Sequence, residues 1–281
     1  MMYSHELLKI DDHSVLTDGT LMLAFSGWMD GGEVSTGTVN RLLDLLDSKP
    51  IAEIDPEPFY IYNFPGTMEI SALFRPRIEI EEGLLKSIEM PSNMFFCDPV
   101  ANLVLFVGKE PNLQWKLFGD CIFKLADQLG IKRILFVGSF GGTVPHTREP
   151  RLYVTSSTPE LLSEMEQYGV GRTGYEGPGS FTSYLISRAS ESNIAMTSLV
   201  AEIPAYLQGA NPMCIAAVTR RLAKMLRLSI DLDSLRSEST QWELGISKEI
   251  EKDEELSTQV RRLEEQYDNE LLELESEDGP L

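Results

Sequence analysis

The sequence predicts an α/β fold: a mostly parallel β-sheet flanked by helices, followed by an acidic helical appendage at the C-terminal end. Three observations carry this expectation. Apolar runs of strand length recur along the chain and alternate with stretches of helical spacing. Several of these runs are apolar at every position, as strands covered on both faces are. Beyond about residue 235 the character changes, with no Gly or Pro between Ile246 and Asp278. The expected division is an α/β domain over residues 1–235 and an acidic helical segment over 236–281.

Residues 21–25 (Leu-Met-Leu-Ala-Phe) read as a buried strand, broken by Gly27, Gly31 and Gly32. Helical spacing follows over 34–46, with Val39, Leu42, Leu43 and Leu46 on one face. Residues 59–62 (Phe-Tyr-Ile-Tyr) and 103–107 (Leu-Val-Leu-Phe-Val) read as the second and third strands. Asn112 is a candidate N-cap for a helix through Leu129, closed by Gly130. A fourth strand spans 133–137. Thr158-Pro159 and Asn211-Pro212 each place an N-cap residue before a proline at the first helical position. The second of these helices runs to about Leu226. Between them, residues 181–191 read as helix and 194–200 as a fifth strand. In the C-terminal segment Leu256, Val260, Leu263 and Tyr267 step by helical intervals, and Leu271 and Leu274 drift off that stripe. Such a segment either packs on the body as a helical hairpin or projects as a partner-binding arm.

Composition bounds the function. The chain has 281 residues with 42% hydrophobic residues, ample for a core, and no apolar run approaches a membrane span. The N-terminal stretch lacks the basic and apolar regions of a signal peptide. Three dispersed cysteines, Cys97, Cys121 and Cys214, form no CxxC and read as core thiols in a reducing compartment. A cytoplasmic location is therefore expected. The net charge of −20 opposes nucleic acid and anionic membranes and favours basic protein surfaces. Half of it lies between Glu249 and Leu281, where 13 acids face 3 bases.

In an open α/β sheet, chemistry sits beyond the carboxyl ends of the strands. The loop from Ser26 to Glu33 is Gly-rich but carries no Walker lysine. Asp30 and Glu33 in it match a capping box, and Trp28 reads as a packing anchor or pocket wall. The loop from Gly138 to Pro150 carries His146 and Arg148, which suit anion binding or acid–base work, or else brace the loop. Four glycines between Gly171 and Ser180 suggest a lid near the same edge, with Ser180 capping the next helix. Glu202 and Tyr206 end the fifth strand and face the same crevice. The candidate pocket is thus Trp28, Asp30, His146, Arg148, Glu202 and Tyr206. His5 and His13, near Asp11 and Asp12, read as a solvated terminus. No GxSxG, no HExxH and no paired Cys/His set is present, so no catalytic residue, cofactor or metal is assigned.

These loops, in this order, resemble the PAC2 family. The matching pieces are Phe25-Ser-Gly-Trp-Met-Asp-Gly-Gly32, Arg75-Pro-Arg77, Gly108-Lys-Glu-Pro-Asn-Leu-Gln-Trp115 and the run from Gly138 through Arg148. They continue with Gly177-Pro-Gly-Ser-Phe181, Ser198 through Tyr206, and Asn211-Pro212. The resemblance implies a fold like that of purine nucleoside phosphorylases and related hydrolases. It implies a non-catalytic role as a proteasome-assembly-chaperone-like protein that forms homo-oligomers and binds proteasome-like subunits. The rival expectation is a small-molecule-binding protein or enzyme using the crevice. Two departures stand out. The chain ends Gly279-Pro280-Leu281 where proteasome-docking relatives end in a hydrophobic–Tyr–any tripeptide, and it has Pro204-Ala205-Tyr206 where relatives have Pro-His-Tyr.

Overall fold

The computed structural model describes residues 4–11 and 15–277. His13, Asp12 and the terminal Gly279-Pro280-Leu281 lie outside the described residues, as do the side chains of His5 and Leu274. The first half of the chain runs α1 (Ser4–Leu7), β1 (Leu8–Ile10), β2 (Gly19–Ser26), α2 (Val34–Leu45), β3 (Lys49–Ile54), α3 (Met68–Ala72), β4 (Arg77–Glu81), β5 (Leu84–Glu89), β6 (Met94–Asp98) and β7 (Leu103–Lys109). It continues with α4 (Trp115–Gln128), β8 (Ile131–Gly142), β9 (Leu152–Ser156), α5 (Pro159–Glu166), β10 (Gly171–Arg172), α6 (Phe181–Ala189), β11 (Ala195–Pro204), α7 (Pro212–Leu226), α8 (Asp233–Ile250) and α9 (Glu254–Glu277).

Among the described residues the main sheet has nine strands in the order β1-β3-β6-β7-β2-β8-β11-β9-β10. Its centre, β7-β2-β8-β11, is parallel. On the flanks β1–β3, β3–β6, β6–β7 and β9–β11 pair antiparallel, and only the edge pair β9–β10 is parallel. The sheet is therefore mixed rather than mostly parallel. The physical reason is connectivity. A parallel pair needs a crossover helix, whereas the turn at residues 99–102 that joins β6 to β7 is too short for one and forces an antiparallel return.

The central strands divide their side chains between two cores. In β2, Leu21, Leu23 and Phe25 join one core beneath α4 and α6, while Met22 and Ala24 join the other beneath α2 and α7. Both faces being covered explains why this strand is apolar throughout. The first core is aromatic, with Phe25 edge-on to Phe181 at 5.5 Å and Phe59 edge-on to Phe118 at 4.8 Å between ring centroids. Truncating such a buried ring to alanine costs about 3–5 kcal/mol.

Local signals hold where they act locally. Thr158 and Asn211 precede helices that carry proline in the first turn, and Asn211 Oδ1 accepts from the Cys214 amide at 2.9 Å. All three cysteines are buried. Three expectations fail. Residues 59–62 are not a strand. Phe59 lies in an irregular segment, its ring packed against Phe118 and its carbonyl accepting from the Asn112 and Leu113 amides at 2.9 and 3.0 Å. The Asn112 side chain accepts from the Ile61 amide at 3.3 Å and does not cap α4, whose N-cap is Gln114. Glu33 completes no capping box: it sits in left-handed backbone, φ 55°, with no side-chain cap bond.

The β4–β5 hairpin forms a separate two-stranded sheet, every residue of which is exposed. The C-terminal helices fold back on the body. Leu235, Ile250, Val260 and Tyr267 are buried, and Arg41 of α2 pairs with Glu238 of α8. The helical stripe read from the sequence thus faces protein, and Leu271, off that stripe, is exposed. No described helix is long and apolar enough to cross a membrane.

Candidate functional site

The carboxyl ends of β2, β8 and β11 bring the sequence-predicted residues to one edge of the sheet, in two compartments rather than one crevice. The first holds His146, Arg148, Glu202 and Tyr206. It is closed: the cavity bordered by His146, Arg148 and Glu202 measures about 10 Å³, too little to hold more than one water.

Every polar group in this layer is engaged. Tyr206 Oη accepts from the His146 backbone N–H at 2.9 Å and lies 2.8 Å from its Nδ1. Nε2 lies 3.1 Å from Ser247 Oγ on α8. The Tyr206 and Ser247 hydroxyls thus engage both ring nitrogens. Burial lowers the His146 pKa, with Glu264 opposing, so the ring is neutral at pH 7. Burial likewise pushes Tyr206 up to about 12.

Glu202 lies on β11, 5% exposed. Its Oε1 accepts from the Thr143 amide at 2.6 Å, the Val144 amide at 3.2 Å and Thr143 Oγ1 at 3.2 Å. Its Oε2 is 3.6 Å from Arg151 and 3.4 Å from Tyr153 Oη. Gly142 makes room for it, since a Cβ there would stand 2.2 Å from Oε1.

Helix α9 straps this layer down. Arg148 makes a bidentate pair with Asp268, both contacts at 2.8 Å, and Thr147 bonds Glu264. The Arg151 guanidinium lies 4.4 Å from the Tyr267 ring centre, and Tyr267 Oη donates to the Glu149 carbonyl at 2.9 Å. Arg148, read from the sequence as an anion binder, already holds a carboxylate of its own chain.

Asp30 and Trp28 stand apart from this layer. Asp30 Oδ1 accepts from the Thr36 amide at 3.0 Å and Oδ2 from Thr36 Oγ1 at 2.7 Å, which ties the first loop to α2. Burial raises its pKa to about 6, against the lowering effect of the Thr36 bonds. Trp28 is 64% exposed and walls the second compartment, a cavity of about 370 Å³. Phe140, Tyr153 and Tyr175 supply its other aromatic walls, and Ser139, Thr155, Ser180 and Ser198 supply hydroxyls. No Asp, Glu, Lys, Arg or His lines it. This chemistry suits an uncharged ring or an apolar side chain. Ser139 Oγ donates to the Gly31 carbonyl at 2.5 Å, so it braces the first loop and is not paired with a base. The Gly-rich lid contributes Tyr175 and Pro178, and Ser180 caps α6 by accepting from the Ser183 amide. Among the described residues no group of three or more His, Cys, Asp or Glu is placed to hold a metal.

Glu110 went unread as a site residue. Its carboxylate accepts from the Trp28 amide at 3.2 Å and the Phe181 amide at 2.8 Å, pinning the first loop to the start of α6. An acid directly after an apolar strand and before Pro111 was the signal available in the sequence.

Across these loops and the sheet beneath them, the sequence matches the PAC2 family over residues 24–250. The chain belongs to the PAC2 family. No curated protein matches it. Among solved structures, a Mycobacterium tuberculosis protein of unknown function is 22% identical with a TM-score of 0.83, covering 97% of this PAC2 chain and 92% of its own. A proteasome-assembly chaperone homologue from the same organism is 27% identical with a TM-score of 0.72, covering 86% and 99%. The Pyrococcus furiosus archaeal proteasome activator PbaB is 16% identical with a TM-score of 0.63, covering 86% and 97%. At 22% and 16% identity the likeness is one of fold.

Proposed function

We propose that this PAC2 protein is a non-catalytic, proteasome-assembly-chaperone-like protein that docks a protein partner in the cytoplasm. The observation that carries the reading is the family match over residues 24–250, joined to 27% identity with a proteasome-assembly chaperone homologue across 86% of the chain. The site geometry agrees. His146, Arg148 and Glu202 spend their hydrogen-bonding capacity on Tyr206, Ser247, Asp268 and the 143–144 amides. That is how bracing residues behave. A phosphorylase- or hydrolase-like ancestry of the fold remains compatible with this role, because fold and activity are separable.

The protein works as a homo-oligomer in this reading. The β4–β5 hairpin exposes Ile78, Ile80, Leu84, Leu85 and Ile88. A two-stranded hairpin standing alone is marginal in water. Its apolar side therefore needs permanent cover, which a second copy of the chain supplies and a transient client does not. Ile80→Glu is expected to reduce the mass of the particle measured by light scattering. An unchanged mass counts against the hairpin as the contact.

The test of function is capture of the full-length protein from native lysate with quantitative mass spectrometry. Proteasome subunits recovered in stoichiometric amount support the reading. A capture free of proteasome subunits overturns it.

A further inference from the structure

The chain carries 24 Lys and Arg against 44 Asp and Glu, so cations gathered in one cleft without an ion pair stand out from its overall charge. Arg133, Arg148, Arg151 and Arg188 are all ion-paired. Arg75, Arg77 and Lys109 are not: among the described residues none of the three has a carboxylate at ion-pair distance. Arg75 reaches only the Asn63 side chain, at a long 3.5 Å, and Lys109 lies 6.0 Å above the Tyr60 ring. Yet all three line one cleft of about 370 Å³.

The cleft is built where an α/β sheet places ligands. Ser26 and Lys109 end the parallel strands β2 and β7 in register with each other, and both line it. Thr36 and Asn40, one turn apart on α2, form a second wall. The base of the β4–β5 hairpin closes the far side with Arg75, Arg77 and one acid, Glu89. Tyr62 also lines the cleft, and its hydroxyl is buried without any hydrogen-bond partner. Thr38, Ser48 and Thr197 share that state, but Tyr62 borders the cleft, and a small rotation of its ring brings the unspent donor to a ligand there. Burial also lowers the Lys109 pKa with no carboxylate to offset it.

We propose that this cleft binds a phosphate-bearing small molecule, with Arg75, Arg77 and Lys109 facing the phosphoryl oxygens and the Tyr62 hydroxyl donating beside them. Three cations against Glu89 leave a local excess that rewards a multiply charged anion inside a protein whose overall field repels anions. Guanidinium forks match the paired oxygens of a phosphoryl group. The volume exceeds that of the phosphate itself and lies in the range of small-molecule sites. This site is separate from the neutral aromatic cavity and from the layer under α9, and it is independent of the proteasome reading.

The probes are inorganic pyrophosphate and AMP, titrated calorimetrically into the full-length protein in low-salt chloride buffer, with citrate as the carboxylate comparison. Saturable binding of either phosphate probe is expected, weakened at least tenfold by the Arg75→Gln/Arg77→Gln pair and by Lys109→Met. The remote charge change Arg220→Gln should leave it unaltered. Tyr62→Phe supplies the signature a structural role would not give. It should weaken binding several-fold while leaving the melting temperature equal or higher, since it removes an orphaned hydroxyl. It also serves as the test if the arginine variants fail to fold. No saturable binding of pyrophosphate or AMP overturns the proposal. So does equal weakening by Arg220→Gln, or citrate binding as tightly as pyrophosphate.

Discussion

Replacing Glu202 by alanine separates a bracing carboxylate from a reactive one. In the wild type Oε1 accepts two backbone amides, those of Thr143 and Val144. Val144 is 1% exposed, so in Glu202→Ala its N–H has no water to turn to, at a cost of about 2 kcal/mol. Thr143 is exposed, so water replaces part of its loss and the cost falls near 1 kcal/mol. The emptied volume beside Gly142 adds roughly 1 kcal/mol. The sum is about 3–4 kcal/mol, which for a chain of this size lowers the melting temperature by roughly 5–7 °C. Glu202→Gln keeps an acceptor for both amides and loses only the long Oε2 contacts to Arg151 and Tyr153, so it should cost about 1 kcal/mol. Gly142→Ala attacks the same network from the other side and should resemble Glu202→Ala. Guanidinium chloride unfolding followed by far-UV circular dichroism gives the three values. A Glu202→Ala protein within 1 kcal/mol of wild type would refute the reasoning, because Oε1 would then not be what holds residues 143–144.

Three further outcomes follow from the same geometry. His146→Ala strips the partners of Tyr206 and Ser247 and should cost about 2–3 kcal/mol. Because the folded pKa of His146 is depressed, its contribution is present above about pH 6.5 and is lost as pH falls below it; a pH series of melting curves on wild type and His146→Ala checks both. Asp30 behaves with the opposite sign. Its folded pKa of about 6 exceeds the ordinary aspartate value of 3.8, so its contribution is full below 3.8 and disappears as pH rises to about 6. Asp30→Asn, which keeps an acceptor for Thr36, should remove that step from the stability profile. Ending the chain at Lys252 removes α9 but no member of either central core, so the shortened protein should stay soluble and melt cooperatively at a lower temperature. Loss of cooperative melting would show that α9 is part of the folding unit.

Features carried by neighbouring residues are legible along the chain. Two-sided burial shows in the unbroken apolar run of residues 21–25. The helix start at Asn211-Pro212 depends on one side chain and one fixed φ, and that at Thr158-Pro159 on the fixed φ. The acidic helical end shows in composition. The order of loops sufficed for the family. Tertiary structure decided the rest, because each remaining question turned on a partner distant in the chain. Strand direction at the sheet flanks depends on which strand lies alongside, and β1, β3 and β6 are short strands with weak patterns of their own. Residues 59–62 were as apolar as a strand, but their hydrogen bonds went to the 112–113 turn. His146 and Arg148 look available in the sequence, and only the return of α8 and α9 from a hundred residues away shows Ser247 and Asp268 claiming them. Conversely, Arg75, Arg77 and Lys109 look unremarkable along the chain. Folding brings them around one cleft that holds a single acid, Glu89, because electrostatic partnership is set by distance in space rather than along the sequence.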